Sequence, residues 1–462
     1  MSESISSFEK SVLRAKAVVE QRFLYRKLGI PYDYSTPEEG FPSRSLATTK
    51  EAKASIPNPS GLGAGFYHSC RNHSLLFDSY LLRLELGIEV ANDELILDRL
   101  IGGLIRLATV APKAFLVGGI SPDGRGFYHH SSWQNQAAWC FAVARGLTTS
   151  AIAPESQEKF AAIVGKWLER LRRDRFVVTS FDGRPQGGDL ADLDSGCGPV
   201  YLAIHLTAWL ASRQTEDYTA FAAAAMEEEG RRLVTPLPKA EPEPVADLLW
   251  RQAALALLLK HDNNPERQER VRRCLSINAQ AAAEWVGGSR AWREPLDGIY
   301  PTLDWRRFPR ASLEESRGFG FSPFSHWEWL ENEQNLAAAW AAAYVVFLAA
   351  DVELAERVAA ELGEALERVP WEKITGLTAL APILGIHARG VELGLWDKDL
   401  TLKRHSFQFA AESFAAKYME PDYDRENPGK AGHSQPPPGK EEPLPLPRNG
   451  EGFRRRKRRR RH

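Results

Sequence analysis

The sequence predicts an all-α fold. Apolar residues recur at spacings of three and four along almost the whole chain, whereas the strict alternation of apolar and polar residues that marks strands is rare. Of the 462 residues, 43% are hydrophobic and 26% are charged, which is the balance of a globular protein with a large core. We therefore expect helices that pack around such a core.

The spacing of apolar residues places about twelve helices. They are predicted at residues 6–28, 71–86, 93–110, 132–147, 154–174, 197–212, 216–233, 245–261, 265–286, 332–349, 352–369 and 376–395, with a further short one at 401–419. The fifth has Pro154 in its first turn and Glu155 close behind it, which is typical of a helix start. The alanine-rich segment from Leu336 to Ala350 is too short to cross a bilayer and is predicted to be a buried helix.

The connections between these helices alternate in length. Short turns join the second helix to the third, the fourth to the fifth, the sixth to the seventh, the eighth to the ninth and the tenth to the eleventh. The long loops lie before the second, fourth, sixth and tenth helices, so in an up-and-down array they share one end. Six such hairpins that close on themselves give an (α/α)6 toroid, predicted here as one domain over residues 1–422. An open α-solenoid is the alternative, but the repeated sequence period of a solenoid is missing.

Composition excludes several other classes of protein. Charged residues interrupt the N-terminal apolar positions, and no later stretch approaches eighteen uncharged apolar residues, so we expect a cytoplasmic protein without a membrane segment. Cys70, Cys140, Cys197 and Cys274 are too widely spaced for a zinc or redox motif and are predicted to be ordinary thiols. We expect no metal and no cofactor, and the sequence leaves the oligomeric state open.

The C-terminal segment 423–462 differs in composition from the rest of the chain. It is rich in proline, glycine and charge and has almost no core-forming residue, which predicts disorder. The run from Arg454 to Arg461 is wholly basic, which leaves about −9 on the remainder of a chain with net charge −1. This run is the only feature that suggests nucleic-acid binding, and the alternative is an extension with no part in the chemistry.

The first long loop ends in Gly65-Phe-Tyr-His-Ser-Cys-Arg-Asn-His73, at the start of the second predicted helix. His68 can carry a proton near neutral pH, and Arg71 can hold an anion. Together with Asn72 and His73, they are candidates for binding a carboxylate, with His68 also a candidate catalyst. Each residue taken alone is more often structural.

The second long loop leads into the fourth predicted helix. Pro122-Asp123-Gly124 predicts a turn, which makes Asp123 a turn former rather than an acid. The candidate binding residues follow it and combine polar groups with aromatic rings, an arrangement that suits sugar hydroxyls stacked on a ring: Tyr128, His129, His130, Trp133, Gln134 and Asn135. His130 is also a candidate catalytic residue.

The third long loop contains four aspartates. Asp182-Gly183 predicts another turn, and either Asp194 or Ser195 is explained as a cap of the sixth predicted helix. Asp189 and Asp192 have no such local explanation. Closely placed carboxylates can push their pKa values apart and so provide one acid and one base, which makes these two candidate catalytic residues.

The fourth long loop, residues 287–331, is the most aromatic part of the chain. One interpretation is a lid that packs on itself. The other is a wall for stacking sugars, with Trp327 as a binding residue and Glu328 and Glu331 as candidate catalytic acids.

The chain resembles the six-hairpin glycosidase superfamily over about residues 60–395. The resemblance rests on the twelve alternating helices and on Ser121-Pro-Asp-Gly-Arg-Gly-Phe-Tyr-His-His-Ser-Ser-Trp-Gln-Asn-Gln136, followed by Asp182-Gly183 and Gly188-Asp189-Leu190. It implies an (α/α)6 toroid and a sugar hydrolase, or a polysaccharide lyase on a related toroid. Such proteins often carry an acidic residue where this chain has Trp133-Gln134-Asn135.

Three functions follow from these patterns. The leading hypothesis is a carbohydrate-active enzyme that hydrolyses a glycosidic linkage in an oligosaccharide, which can include uronic acid, with Asp189 or Asp192 facing Glu328 or Glu331. The second is a lyase that uses a base drawn from His68, His130 or Tyr128, with Arg71 neutralising a uronate. The third is a toroid that binds sugars or acts as a scaffold without catalysis.

Overall fold

The computed structural model describes residues 7–25, 27–33, 46–54, 65–66, 68–88, 92–191, 197–229, 242–288, 324–369, 371, 374, 376–377 and 380–398. For residues 7, 187–188, 228–229, 242–246 and 324–335 it describes the backbone alone. The segment predicted as a helix at 401–419, the domain boundary predicted at residue 422 and the predicted disordered tail all lie outside these residues. The elements below belong to one compact unit, Met1–Thr401.

Thirteen α-helices account for most of the described residues. They are α1 (Ser7–Val18), α2 (Thr49–Lys53), α3 (Ser69–Glu85), α4 (Asp93–Thr109), α5 (Trp133–Leu147), α6 (Pro154–Arg173), α7 (Gly198–Ser212), α8 (Thr215–Glu229), α9 (Pro242–His261), α10 (Pro265–Gly288), α11 (Phe324–Leu348), α12 (Val352–Glu367) and α13 (Ala381–Glu392). Two of their starts show how local chemistry sets a boundary. The Ser132 side chain caps α5 by accepting from the Asn135 N–H, and Asp351 caps α12 in the same way.

Two short antiparallel hairpins interrupt the helices, and the sequence did not predict them. Strands β1 (Leu24–Tyr25) and β2 (Ile30–Pro31) pair with Leu24 opposite Pro31. Strands β3 (Val177–Thr179) and β4 (Pro185–Asp189) form the second hairpin. The first predicted helix is therefore wrong over residues 24–25 and 27–28: α1 continues as a π-helical turn, Val19–Phe23, and strand β1 and a turn follow it.

Two other boundaries also differ from prediction. Helix α11 begins at Phe324, eight residues before the predicted start, so that part of the predicted aromatic loop is helical. Helix α13 begins at Ala381 rather than at residue 376, with Pro382 in its first turn, where the missing N–H of proline removes no helical hydrogen bond.

The helices pack in an order that follows the chain. Helix α3 contacts α5, α5 contacts α7, α7 contacts α9, α9 contacts α11, α11 contacts α13, and α13 contacts α3. Each even-numbered helix from α4 to α12 contacts the odd-numbered helix before it, and α1 contacts α12 and α13. The short connections therefore join helical hairpins, as the loop lengths predicted.

Burial separates the two sets of helices. Helix α5 is buried without a break from Asn135 to Gly146. Helix α6 instead buries mainly one face, with the spacing of an amphipathic helix: Phe160, Val164, Trp167, Leu168 and Leu171. Helix α12, like α6, is buried mainly on one face. Helices α3, α5, α7 and α13 are buried over most of their length, whereas α4, α6, α10 and α12 are buried mainly on one face.

The four cysteines are all buried, and none of them forms a disulfide bond. Cys70 and Cys140 lie in helix contacts, where each thiol lies within weak hydrogen-bond distance of a backbone carbonyl. No helix in the described part of the chain is long and apolar enough to span a membrane.

A buried polar network joins four odd-numbered helices in their C-terminal halves. Asp78 on α3 accepts from Arg145 Nε on α5 (2.8 Å), from the Tyr344 hydroxyl on α11 (2.8 Å) and from Arg389 Nη2 on α13 (3.0 Å). Burial alone would raise the pKa of Asp78, but the two guanidinium groups outweigh it and hold the pKa at about 2. The network fixes these helices side by side with their C-terminal halves together, so their N-terminal ends lie at the opposite end.

Gly29 lies in the turn that precedes the candidate site, and a substitution there tests how closely this turn approaches α4. Its φ is +65°, and a Cβ at this position would lie 2.1 Å from the Arg99 carbonyl oxygen on α4. Gly87 has a similar φ of +69°, with no heavy atom within 4 Å of a Cβ, and so supplies a matched control. We expect Gly87→Ala to lower the free energy of unfolding by about 1–2 kcal/mol, from backbone strain alone. Gly29→Ala should cost about 1–3 kcal/mol more, because the backbone must also move. Equal losses in urea denaturation would contradict the close contact with α4.

Candidate active site at the start of α3

Asp33 follows strand β2 and is fixed through its backbone. Its N–H donates to the Gly65 carbonyl (2.8 Å), and its carbonyl accepts from the Leu377 N–H (2.9 Å). Three segments that are distant in sequence therefore meet at this residue: the end of the β1–β2 hairpin, the loop before α3 and the segment before α13.

The Asp33 carboxyl group lies against the first turn of α3. It accepts from the His68 backbone N–H (2.7 Å) and from the Asn72 side-chain amide (3.3 Å). Burial raises the pKa of Asp33 to about 7, against the lowering effects of Arg71 and of the Asn72 hydrogen bond. Near neutral pH the group is therefore balanced between its two protonation states, which suits a proton donor or acceptor.

His68 and Arg71 are neighbours across the first turn of α3. Arg71 Nη2 lies 3.3 Å from His68 Nε2, and both side chains are half-buried. Since a guanidinium only donates, His68 Nε2 accepts in this contact. The structure thus brings together three residues that the sequence predicted at this position, His68, Arg71 and Asn72, around a carboxyl group that it did not predict.

Three of the predicted binding residues lie in the interior. His73 is fully buried between α3 and α4, its Nε2 is 2.7 Å from the Leu100 carbonyl oxygen, and burial lowers its pKa to about 4. Tyr128 is also fully buried. Asn135 is fully buried as well, and neither its amide oxygen nor its amide nitrogen has a hydrogen-bond partner among the described residues.

The loop before α5 packs against the β3–β4 hairpin. His129 lies in an aromatic cluster, with its ring centroid 5.4 Å from that of Phe181, and desolvation lowers the pKa of His129. His130 Nδ1 makes a hydrogen bond to the side-chain oxygen of Gln186 in β4. The hairpin therefore positions His130, which is half-buried.

Trp133 and Gln134 begin α5 and connect it to α9. The Gln134 amide donates to Asp247 Oδ1 on α9 (2.8 Å). The guanidinium carbon of Arg251, one turn further along α9, lies 5.8 Å from the centroid of the Trp133 ring. The sequence predicted Trp133 and Gln134 as binding residues. In the structure the Asp247 carboxylate and the Arg251 guanidinium lie beside them.

The predicted catalytic acids are placed as follows. Asp189 is exposed at the end of β4 and accepts from the Ala191 N–H (2.9 Å), the bond of a local turn. Asp192 lies outside the described residues. Trp327, Glu328 and Glu331 lie in the first two turns of α11, where only the backbone is described. The pairing of these acids stays a prediction.

The two predicted turn formers are confirmed. Asp123 accepts from the Ser121 hydroxyl (2.6 Å), the Thr49 hydroxyl (2.5 Å) and the Arg125 N–H (3.1 Å). Asp182 is bound to the Ser180 hydroxyl, next to Gly183 with a φ of +87°. Both carboxylates therefore serve their own turns.

Little in the sequence indicated a role for Asp33 or Asp247. Asp33 follows Pro31-Tyr32 in a region predicted as a loop, and Asp247 lies inside a predicted helix, where an acidic residue is ordinarily on the solvent face. Their contacts come from residues far along the chain, on α3 and α5 respectively. A polar residue within an apolar helix face is the one sign that could have indicated Asp247.

The raised pKa of Asp33 predicts a pH dependence of stability. Between about pH 4 and pH 7 the folded protein retains a proton that the unfolded chain releases, so the Asp33 carboxyl reduces the stability of the fold as pH rises through this window. We expect the free energy of unfolding of Asp33→Asn, minus that of the wild type, to increase with pH by up to about 1.4 kcal/mol per pH unit. Buried histidines such as His73 act in the opposite direction, but they are present in both proteins and cancel. Parallel curves in urea titrations at several pH values would show that Asp33 ionises normally.

The arrangement provides a titratable carboxyl beside a histidine and an arginine, and a second carboxylate that is hydrogen-bonded to Gln134, the residue after Trp133. Such a set can transfer protons to and from a substrate that the aromatic ring and the amides position. No protein-family model matches this chain, and no curated protein matches it either.

Proposed function

We propose that this chain is a carbohydrate-active enzyme that hydrolyses a glycosidic linkage in an oligosaccharide, with Asp33 as the proton donor. The observation that carries the proposal is the buried Asp33 carboxyl, whose pKa is raised to about 7 at the start of α3. Hydrolysis needs an acid that is still protonated near neutral pH to protonate the leaving oxygen, and burial is a common way to provide one.

The proposed scaffold is an (α/α)6 toroid. The inner ring would consist of α3, α5, α7, α9, α11 and α13, and the outer ring of α4, α6, α8, α10, α12 and α1. The order of helix contacts, which returns from α13 to α3, supports this arrangement. The burial of α5 on all sides and the amphipathic burial of α6 and α12 support it as well.

Asp247 is the proposed second carboxylate. It is half-buried on α9, and its hydrogen bond to Gln134 orients it at the start of α5. In the proposed toroid α9 lies across the ring from α3, so a sugar bound between them has one carboxyl group on each side. Trp133 would supply the stacking surface.

A lyase is the second candidate, and the contact between His68 and Arg71 favours it. A lyase removes a proton beside a uronate carboxylate, which requires a base and a cation close together. The two mechanisms leave different products, because elimination creates a carbon–carbon double bond and hydrolysis does not.

A panel of neutral and uronic oligosaccharides tests the proposal with the full chain. We expect new reducing ends without unsaturated sugars. Unsaturated products would replace the hydrolase with the lyase. Binding without turnover on every substrate would leave a sugar-binding protein and overturn the enzyme proposal.

The proposed enzyme acts in the cytoplasm, a reducing compartment that suits four cysteines without a disulfide bond. Its proposed partner is the oligosaccharide. Nucleic-acid binding by the basic C-terminal run stays a separate prediction.

A further inference from the structure

His130 lies next to both segments that form the candidate site. It is three residues before Trp133, where α5 begins. Its ring centroid is 5.8 Å from that of Tyr128, and the Tyr128 centroid is 6.2 Å from that of Phe66 in the loop before α3. The aromatic contacts therefore connect this half-buried histidine to the starts of α3 and α5.

The β3–β4 hairpin holds the His130 loop in place. The Phe181 N–H donates to the His129 carbonyl (2.7 Å), and the rings of these two residues pack with their centroids 5.4 Å apart. Gln186, the second residue of β4, then reaches His130, and its side-chain oxygen forms a hydrogen bond with His130 Nδ1. The two residues are 56 positions apart in the chain, so only the fold brings Gln186 to this loop.

The backbone of β4 orients the Gln186 amide. Its nitrogen lies 3.4 Å from the Arg184 carbonyl oxygen and 3.5 Å from the Pro185 carbonyl oxygen, and a carbonyl only accepts. The amide oxygen therefore faces His130. Since this oxygen also only accepts, the proton of a neutral His130 is on Nδ1, and Nε2 has the lone pair. Within the described part of the chain Nε2 makes no hydrogen bond and is not among the buried unpaired polar atoms, so it is open to a ligand.

We infer that Gln186 is a positioning residue of the candidate site, which fixes the tautomer of His130 so that Nε2 accepts a hydrogen bond from a hydroxyl group of the bound sugar. The inference rests on the proposed function and names the sugar group that is bound at this point. In the opposite tautomer Nε2 would carry the hydrogen and would bind acceptors, such as a carboxylate or a ring oxygen. The orientation of one amide thus favours a neutral hydroxyl beside His130.

Nitrogen NMR of the full chain with isotope-labelled histidine shows the tautomer directly, because ring nitrogens with and without a proton resonate far apart. At about pH 8 an unperturbed histidine is neutral, and His130 should have its proton on Nδ1, with His130→Asn identifying its signals. His73 is the internal reference for the opposite tautomer, since its Nε2 lies 2.7 Å from the Leu100 carbonyl oxygen. An oligosaccharide that the chain cleaves should shift the His130 Nε2 signal without adding a proton.

Gln186→Leu removes the acceptor and should leave a mixture of the two tautomers. We expect its KM for the same oligosaccharide to rise about three- to tenfold, the usual effect of losing one hydrogen bond, with kcat within about twofold. Arg184→Gln is the matched control, because it changes an exposed side chain of the same hairpin. This variant should leave both the tautomer and KM unchanged.

A wild-type spectrum with the proton of His130 on Nε2 would overturn the inference, and this spectrum decides even if Gln186→Leu fails to fold. An unchanged tautomer or an unchanged KM in Gln186→Leu would also overturn it and leave the hydrolase. If the expected tautomers appear but no oligosaccharide is cleaved, the positioning of His130 by Gln186 is supported and the proposed hydrolase is removed.

Discussion

Asp33→Asn should lower the turnover of a verified oligosaccharide substrate by about a hundredfold or more, the usual contribution of a positioned proton donor. Asparagine keeps nearly the same volume and can still accept from the His68 N–H. It has no proton to give to the leaving oxygen. The binding of the substrate should change much less than its turnover.

The pH profile of the wild type gives the direction of the proton transfer. A proton donor must be protonated in the free enzyme, so kcat/KM should fall as the pH rises through about 7, where Asp33 loses its proton. If Asp33 were a base, kcat/KM would instead fall on the acid side of this value. In Asp33→Asn the limb near pH 7 should disappear.

Asp123→Asn is the matched control for this experiment. Asp123 is a turn carboxylate held by Ser121 and Thr49, and asparagine also forms such turns. We expect this variant to retain turnover within about twofold, since the turn survives. Full activity in Asp33→Asn, on a substrate that the wild type cleaves, would remove Asp33 from the mechanism.

Asp78→Asn should have the largest effect on stability, a loss of about 3–5 kcal/mol in the free energy of unfolding. The substitution keeps the volume but removes the charge that Arg145 and Arg389 share. Two buried guanidinium groups would then repel each other, and Glu85 and Glu392 at the margin offset only part of this repulsion. Urea denaturation at pH 7 measures the loss.

The exposed Asp98 on α4 supplies the control for Asp78. Asp98→Asn should change the free energy of unfolding by no more than about 0.5 kcal/mol. The depressed pKa of Asp78 sets the pH range: its stabilisation is complete above about pH 4 and is lost as the pH falls towards 2. The gap between wild type and Asp78→Asn should therefore close in acid. A gap of less than about 1 kcal/mol at pH 7 would show that the network is not strongly coupled.

The helical hairpins could be predicted because the sequence features that define them act between near neighbours in the chain. The apolar spacing of α6 and α12, the proline at the start of α6 and the short turn at Asp351 each act over one or two helical turns. The hairpin β1–β2 was missed because residues 24–28 have helical spacing of apolar residues, while the turn depends on the close approach of Gly29 to α4. Contacts with a distant helix decided that element.

In the candidate site, too, local sequence predicted some features, whereas contacts between distant segments decided others. The residue types at His68, Arg71, Asn72, Trp133 and Gln134 indicated a polar site at helix starts, and they do lie at the starts of α3 and α5. His73 belongs to the same motif, but its position on the helix directs its side chain toward α4. There its Nε2 lies within hydrogen-bond distance of the Leu100 carbonyl oxygen. A motif gives the chemistry of a segment, whereas the helical phase decides which of its members reach the interior.

The sequence by itself determined the helical hairpins and the loops that carry the polar residues, because periodicity, caps and turn residues act between near neighbours. Only the tertiary structure decided which carboxyl groups have unusual chemistry. Asp78 meets Tyr344 across 266 positions and Arg389 across 311, and Asp33 meets α3 and Leu377 only after the chain has folded. The pKa of a carboxyl group depends on burial and on nearby charges, and both come from residues that the fold, not the order of the chain, brings into contact.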